Sequence, residues 1–149
     1  MKAMPPPRPA PRIASLLASA TEIVCALGAR DLLVARSHEC DFPADVAALP
    51  RVTAARLNTA APSAAIDRDV KQLLQQALSI YEVDAEALRR LAPDIVVTQT
   101  QCEVCAVSEN DVVAALAGWS GIRPRLVSLL PNALGDIFTD IAFAHGAQR

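Results

Sequence analysis

The sequence predicts an α/β domain with a parallel sheet of four to five strands and helices on both faces. Short apolar runs alternate with helical segments along the chain, which is the order expected when helices cross over between parallel strands. One run, Ile95, Val96 and Val97, is β-branched throughout, as is typical of a strand buried on both faces. The chain has 149 residues, 52% of them apolar, and is therefore long enough to bury one core.

Four strands and five helices are predicted. The strands are expected at residues 12–17, 32–35, 95–97 and 126–129. The helices are expected at residues 19–27, 66–77, 84–91, 109–117 and 133–144. Residues 1–11 contain five prolines, a density that prevents helix, and are predicted to form a disordered tail. Residues 51–65 are small and polar with little periodicity, and are expected to form a long connection.

Polar residues and a glycine mark the expected helix ends. Ser19 and Glu22 have the spacing of a capping box at the start of the first helix, and Gly28 is suited to end it. Ser108 and Asn132 are expected to cap the helices that follow the third and fourth strands. The alternation also predicts that the carboxyl ends of the four strands lie at one edge of the sheet, where ligands of such sheets bind.

Two loops at this edge contain an unusual set of side chains. Residues 37–43 have the sequence Ser-His-Glu-Cys-Asp-Phe-Pro, and residues 99–105 have the sequence Gln-Thr-Gln-Cys-Glu-Val-Cys. Together they hold one imidazole and three thiols, which are the donors of a tetrahedral Cys3His zinc site. The predicted metal ligands are His38, Cys40, Cys102 and Cys105.

The cysteines also fit two roles that involve no metal. Cys102 and Cys105 form a Cys-x-x-Cys pair that precedes a helix, an arrangement that would suit the redox dithiol of a thiol oxidoreductase. Small cysteines are also often simply buried, so both roles stay open beside the zinc site. Cys25 lies on the apolar face of the first helix and is expected to be such a core residue.

Composition and missing motifs exclude several classes of function. A net charge of -2 and an aromatic content of 3% give no basis for nucleic-acid binding. No stretch approaches the roughly 18–20 apolar residues of a membrane span, so no membrane insertion is expected. The sequence has no dinucleotide, P-loop, nucleophile-elbow or zinc-protease motif, which disfavours the enzyme classes that depend on them. Residues 1–12 lack the apolar segment of a secretory signal, which favours a cytoplasmic location.

Three segments resemble the iron-siderophore and cobalamin substrate-binding proteins of ABC importers. Residues 12–23 are similar to the opening strand of that family and to the Thr-Glu pair that begins its first helix. Residues 33–43 resemble its second strand and Asp-aromatic-Pro loop, and residues 88–97 resemble its helix-to-strand junction with Pro-Asp. The loops that contain Ser-His-Glu-Cys-Asp and Gln-Cys-Glu-Val-Cys are most similar to the cobalamin-binding-like group.

The resemblance implies a fold of two α/β lobes joined by a long helix, with the ligand held between the lobes. Residues 12–131 correspond to the N-terminal lobe and residues 132–149 to the start of the inter-lobe helix, with no counterpart of the second lobe. The implied function is non-enzymatic, with no catalytic residue: capture of cobalamin or an iron chelate, without turnover, in the periplasm. The implied ligand-binding residues are Ala18, Ser19, His38, Glu39, Cys40, Asp41, Phe42, Gln101, Cys102, Glu103, Cys105 and Pro131. Glu109 is the implied docking residue for an ABC permease.

Overall fold

The computed structural model describes residues 10–58, 60–75, 80–100 and 107–147. Its strands are β1 (Ile13–Ser15), β2 (Leu33–Arg36), β3 (Thr53–Ala55), β4 (Tyr81–Val83), β5 (Ile95–Gln99) and β6 (Arg125–Leu129). Its helices are α1 (Ala18–Ala26), α2 (Ser63–Gln75), α3 (Ala85–Leu91), α4 (Glu109–Leu116) and α5 (Leu134–Ala147). Two 3₁₀ turns, Arg30–Leu32 and Ala44–Ala48, flank β2.

Four of the strands form a parallel sheet in the order β2-β1-β5-β6. The central position of β5 explains its composition, because all five of its residues are buried between two faces. Ile13 of β1 is in register with Leu33 on one side and Ile95 on the other. The prediction of a parallel α/β sheet is therefore confirmed.

The core is divided by this sheet into two apolar clusters. On one face, Ala14 and Val96 belong to a cluster with Leu88 of α3 and Val112 of α4. On the other face, the alternate strand residues pack with Val24 of α1. Helices on both faces were expected, because each parallel strand needs a crossover that covers one side of the sheet.

The start of α1 differs from the sequence prediction. The helix begins at Ala18 with Leu17 at its N-cap, and no side chain caps it there. The carbonyl oxygen of Leu17 already accepts the N–H of Thr21 at 3.0 Å, so Ser19 lies inside the first turn and is not the cap. The predicted end is confirmed, since Gly28 adopts a φ of 77°, which favours glycine.

Of the two N-caps predicted for later helices, one is confirmed and one is wrong. Ser108 caps α4 as predicted: its Oγ accepts the N–H of Asp111, whose carboxylate accepts the N–H of Ser108 in return. Asn132 does not cap α5, because its side-chain nitrogen donates to the carbonyl oxygen of Leu130 at 3.3 Å. The carboxylate of Asp136 instead accepts the backbone N–H groups of residues 132 and 133, each at 2.9 Å.

The expected long connection at residues 51–65 is wrong at both ends, since α2 already begins at Ser63. Thr53–Ala55 forms β3, which pairs antiparallel with β4. Before this strand, Val52 N–H donates to the carbonyl oxygen of Arg36 at 3.0 Å, so the chain first runs parallel to β2. The β3–β4 pair consequently continues beyond the carboxyl end of β2. Among the described residues, no helix combines the length and apolar character needed to cross a bilayer.

Candidate functional site

The carboxyl ends of the four parallel strands lie side by side, as the sequence predicted. Ser37, just after β2, donates its N–H to the carbonyl oxygen of Ser15 in β1 at 2.9 Å. Thr100, just after β5, donates its N–H to the carbonyl oxygen of Leu129 in β6 at 3.2 Å. At this carboxyl edge the end of β2 therefore adjoins β1, and the end of β5 adjoins β6.

The predicted ligand-binding residues at the carboxyl edge differ in exposure. The exposed ones are Ser19, Glu39, Asp41 and Phe42, and the half-buried ones are Ala18, His38 and Pro131. Cys40 is 1% exposed. Gln101, Cys102, Glu103 and Cys105 lie outside the described residues. The half-buried Glu109 begins α4.

Cys40 lies below the surface in a small polar cluster. Its Sγ is 3.0 Å from Thr21 Oγ1, which is also 2.8 Å from Ser15 Oγ. Burial raises the pKa of the Cys40 thiol above its ordinary value of 9.0, although the hydrogen bond from Thr21 opposes this shift. The protonated thiol is thus favoured at neutral pH, and in this arrangement the sulfur links loop 37–43 to α1 and β1.

The proposed Cys3His site remains a prediction. Within residues 10–58, 60–75, 80–100 and 107–147, no three His, Cys, Asp or Glu side chains are grouped so that they could hold a metal ion. Two of the four predicted donors, Cys102 and Cys105, lie outside these ranges, as does the dithiol of the oxidoreductase hypothesis. The two described donors contact different parts of the fold, since Cys40 bonds to α1 and His38 to β3.

His38 is turned toward the β3–β4 pair. Its Nδ1 is 2.7 Å from Thr53 Oγ1, and its backbone N–H donates to the same oxygen at 3.0 Å. The imidazole also contacts the ring of Tyr81, with centroids 5.7 Å apart and planes at 47°. Burial raises the pKa of Tyr81, and the negative charge of Glu39 adds to this effect.

A cavity of about 690 Å³ adjoins His38 and both strands of the β3–β4 pair. Its lining includes His38, Thr53, Arg51, Glu82 and Asp84, so the cavity has both signs of charge. Its volume falls within the range of roughly 300–1,000 Å³ that is common for small-molecule sites. Thr53 and Tyr81 are not among the predicted site residues, because neither carries a motif and both belong to strands that were not predicted.

A second cavity, of about 440 Å³, lies between α1 and the loop after β2. Phe42 and Pro43 form one side, and Ile23 and Cys25 of α1 form the other. Phe42 is 63% exposed, which is unusual for a phenylalanine in a soluble domain. Cys25 is half-buried and packs against the core cluster that contains Val24, so the prediction of a core residue is confirmed in part. Burial is the main cause of the raised pKa of its thiol.

Helix α5 presents an apolar stripe on its surface. Leu134, Ile137 and Phe138 are 69%, 41% and 64% exposed, and their spacing places them on one side of the helix. Near them, Asp140 has a buried carboxylate oxygen with no hydrogen-bond partner among the described residues. Burial raises the pKa of Asp140, and the charge of Asp136 raises it further.

The fold is shared with several solved binding proteins. It resembles the periplasmic vitamin B12 binding protein BtuF of Vibrio cholerae with a TM-score of 0.61 and 22% identity, over 93% of this chain and 41% of that one. It also resembles the periplasmic heme binding protein HutB of Vibrio cholerae, with a TM-score of 0.58 and 20% identity, over 92% of this chain and 40% of that one. The periplasmic heme-binding protein RhuT from Roseiflexus sp. RS-1 has a TM-score of 0.59 and 20% identity, over 93% of this chain and 41% of that one.

These structural neighbours are binding proteins, and the chain spans about 40% of their length. The resemblance noted in the sequence is thereby confirmed for the fold, which is that of one α/β lobe. No protein-family model matches the sequence, and no curated protein is significantly similar to it.

Proposed function

We propose that this lobe forms one wall of a site that captures cobalamin or an iron chelate for an ABC importer. The observation that carries the proposal is the carboxyl edge of the parallel sheet, which presents exposed side chains in the fold of a binding-protein lobe. Parallel sheets bind ligands at this edge. Such a lobe would act in the periplasm, and its part in transport would be binding and release without a chemical step.

The proposed contacts combine polar and apolar groups. No side chain caps α1, so the N–H groups of its first turn, near Ala18 and Ser19, can donate to a carboxylate or amide oxygen of the ligand. The exposed ring of Phe42 offers apolar contact to a macrocycle. The remaining contacts are proposed at His38, Glu39, Cys40 and Asp41, at Gln101, Cys102, Glu103 and Cys105, and at Pro131.

The second wall of the site would come from a second α/β lobe packed against α5. This chain spans about 40% of the length of the solved neighbours. Leu134, Ile137 and Phe138 would be buried by that lobe, which explains why they form an uncovered stripe. Residues 12–131 are thus proposed as the N-terminal lobe and residues 132–149 as the beginning of the helix between the lobes.

This arrangement predicts weak binding by the 149-residue chain alone. Small-molecule sites usually enclose 70–90% or more of the ligand surface, and one wall cannot do so. We expect dissociation constants for cyanocobalamin and haemin above about 1 µM. A sub-micromolar constant in titration calorimetry would contradict the one-wall geometry.

The location of binding can be tested by NMR of the ¹⁵N-labelled chain during titration with either ligand. Shift changes are expected at residues 18–19, 38–42 and 101–105 and at the end of β6. Phe42→Ala should weaken binding several-fold, whereas Ile122→Ala should not, although Ile122 is also exposed. Ile122 precedes β6 and therefore lies toward the amino end of the sheet. Absence of shifts at millimolar ligand, or equal effects of both substitutions, would refute the proposed site.

Docking to the permease is proposed to involve Glu109. This residue is half-buried in the first turn of α4, which begins near the carboxyl edge. A glutamate at this position also interacts favourably with the helix dipole, so stability and docking must be measured separately. Glu86, in the first turn of α3, provides a control for the dipole contribution, and its substitution also removes an ion pair with Arg90 at 2.9 Å.

A further inference from the structure

We propose that a cavity at the amino edge of the parallel sheet binds an oxyanion, either a carboxylate or a phosphate, that is attached to a flat apolar group. The amino edge is the end of the sheet at which the strands begin. It lies opposite the carboxyl edge, where capture of cobalamin or an iron chelate is proposed. The two sites are therefore independent, and either proposal can fail without the other.

The cavity has a volume of about 450 Å³ and lies where β5 and β6 begin. Asp94 precedes β5, Arg123 precedes β6, and Arg89 lies in the last turn of α3. Trp119, which follows the end of α4, lines the same cavity. The volume lies within the range of roughly 300–1,000 Å³ that is common for small-molecule sites.

Arg89 and Arg123 bring two positive charges to this cavity. Within the described part of the chain, neither guanidinium group forms an ion pair or a hydrogen bond. Gly118 leaves room for Arg89, since a Cβ at Gly118 would lie 3.0 Å from Arg89 Nη2. Planar guanidinium groups bind carboxylate and phosphate oxygens through paired N–H donors. The two arginines are therefore placed to bind one oxyanion.

Carbonyl groups at the neighbouring helix ends already have donors. The guanidinium of Arg12 donates to the carbonyl oxygen of Leu91, the last residue of α3, at 2.8 and 3.1 Å. The N–H of Trp119 donates to the carbonyl oxygen of Leu116, the last residue of α4, at 3.0 Å. These carbonyl groups thus do not need the guanidinium of Arg89. The last turn of a helix also favours a cation through the helix dipole, so the test below separates that role from ligand binding.

Asp94 supplies the one negative charge among the described residues that line the cavity. Its Oδ2 accepts the backbone N–H of Arg12 at 2.8 Å. The guanidinium of Arg12, on the neighbouring Leu91, adds a further positive charge close by. The cavity consequently has an excess of positive charge, although the net charge of the chain is -2.

Trp119 provides the apolar contact of the proposed site. Its Nε1 donates to the carbonyl oxygen of Ile122 at 3.0 Å, which holds the indole in the turn before β6. Ile122 is 96% exposed and also lines the cavity. A flat apolar group can stack on the indole while its oxyanion reaches the two arginines. This combination favours an aromatic acid over a bare ion.

The fluorescence of Trp119, the single tryptophan, can report occupancy of the cavity in the 149-residue chain. The probes are phenyl phosphate and benzoate at low ionic strength, because salt screens exposed charges. At least one of them should cause a saturable change in emission at millimolar concentration, and the one that binds more tightly identifies the oxyanion. Absence of a saturable change with both probes would overturn the proposal.

Neutral and ring-free analogues test the two halves of the proposed ligand. Benzyl alcohol has the ring without the charge and should bind at least about tenfold more weakly than the better probe. Inorganic phosphate and acetate have the charge without the ring and should bind about threefold or more weakly. An analogue of either kind that binds as tightly as the better probe would refute recognition of an aromatic acid.

Arg89→Gln and Arg123→Gln test whether the two arginines form the site. Each should weaken binding of the better probe about tenfold, because each removes hydrogen bonds to a charged group. Arg68→Gln is the matched control, since it removes the same charge from an exposed position on α2, where Nε donates to the carbonyl oxygen of Ala64. The control should change the affinity by less than about twofold.

Two results with these variants would refute the site. Equal weakening by Arg68→Gln would indicate non-specific attraction of anions. If Arg89→Gln lowers the urea midpoint and leaves probe binding unchanged, Arg89 serves the helix dipole alone and the two-arginine site is wrong. The titration of the parent chain still decides whether the cavity binds an aromatic acid if a variant does not fold.

Discussion

Thr21→Val tests whether the polar cluster below the carboxyl edge stabilises the loop that carries His38 and Cys40. Thr21 is fully buried in the first turns of α1, and its Oγ1 is 2.8 Å from Ser15 Oγ and 3.0 Å from Cys40 Sγ. Valine has nearly the same shape but lacks the hydroxyl. The substitution therefore removes the connection between α1, β1 and loop 37–43 with little change in packing.

The expected loss of stability depends on the hydrogen bonds that Ser15 and Cys40 keep after the substitution. Ser15 Oγ still donates to the carbonyl oxygen of Leu17 at 3.2 Å, and a thiol sulfur is a weak acceptor, so no strong donor is left unpaired. The loss is then about one net hydrogen bond plus a weaker contact, or about 1–1.5 kcal/mol in the free energy of unfolding. For a chain of this length the melting temperature should fall by roughly 2–6 °C.

Urea unfolding followed by the fluorescence of Trp119, the single tryptophan of the chain, provides the measurement. Trp119 packs against the core cluster that contains Val96, so its emission reports loss of the tertiary structure. Thr139→Val is the matched control, since Thr139 is exposed on α5 and its hydroxyl donates to the carbonyl oxygen of Gly135 in the same helix. We expect the control to stay within about 0.5 kcal/mol of the parent chain. Equal free energies for the two variants would refute the stabilising role of the cluster.

Three further predictions concern charge. The pKa of Asp140 is raised above 3.8, so the protonated carboxyl stabilises the fold below that pH, and this contribution is lost as the pH rises through the folded-state pKa. Asp140→Asn should therefore increase the free energy of unfolding by a few tenths of a kcal/mol at pH 7 and leave it unchanged at pH 3. Urea unfolding at the two pH values measures the difference. The pKa values of Cys40 and Tyr81 are also raised, so the free energy of unfolding should fall as the pH rises beyond about 9. Cys40→Ala should make this fall less steep. A variant whose stability falls with pH as steeply as that of the parent chain would contradict the assignment to Cys40. If the proposed docking is right, Glu109→Arg should abolish pull-down by a cognate ABC permease while Glu86→Arg should not, and undiminished pull-down of the Glu109 variant would remove that residue from the proposed interface.

The candidate site could be predicted from the sequence only where a strand end was recognisable. The loops after β2 and β5 were located because each follows an apolar run, and parallel pairing brings such loops to one edge. The environment of each side chain within those loops was not predictable. His38 and Cys40 are two residues apart, yet His38 bonds to Thr53 and Cys40 to Thr21, because the loop bends between them.

The sequence by itself determined the parallel sheet, its two-sided core and the start of α4. These features depend on local signals: the β-branched run at 95–97, the alternation of strands with helices, and the capping serine at 108. Only the tertiary structure decided the existence of the β3–β4 pair, the burial of Cys40 and the contact between His38 and Thr53. The physical reason is that β3 consists of Thr-Ala-Ala, which has no hydrophobic period, and is stabilised by backbone hydrogen bonds to β4, while the preceding Val52 bonds to Arg36. Bonds between segments so distant in sequence leave no local pattern from which they could be predicted.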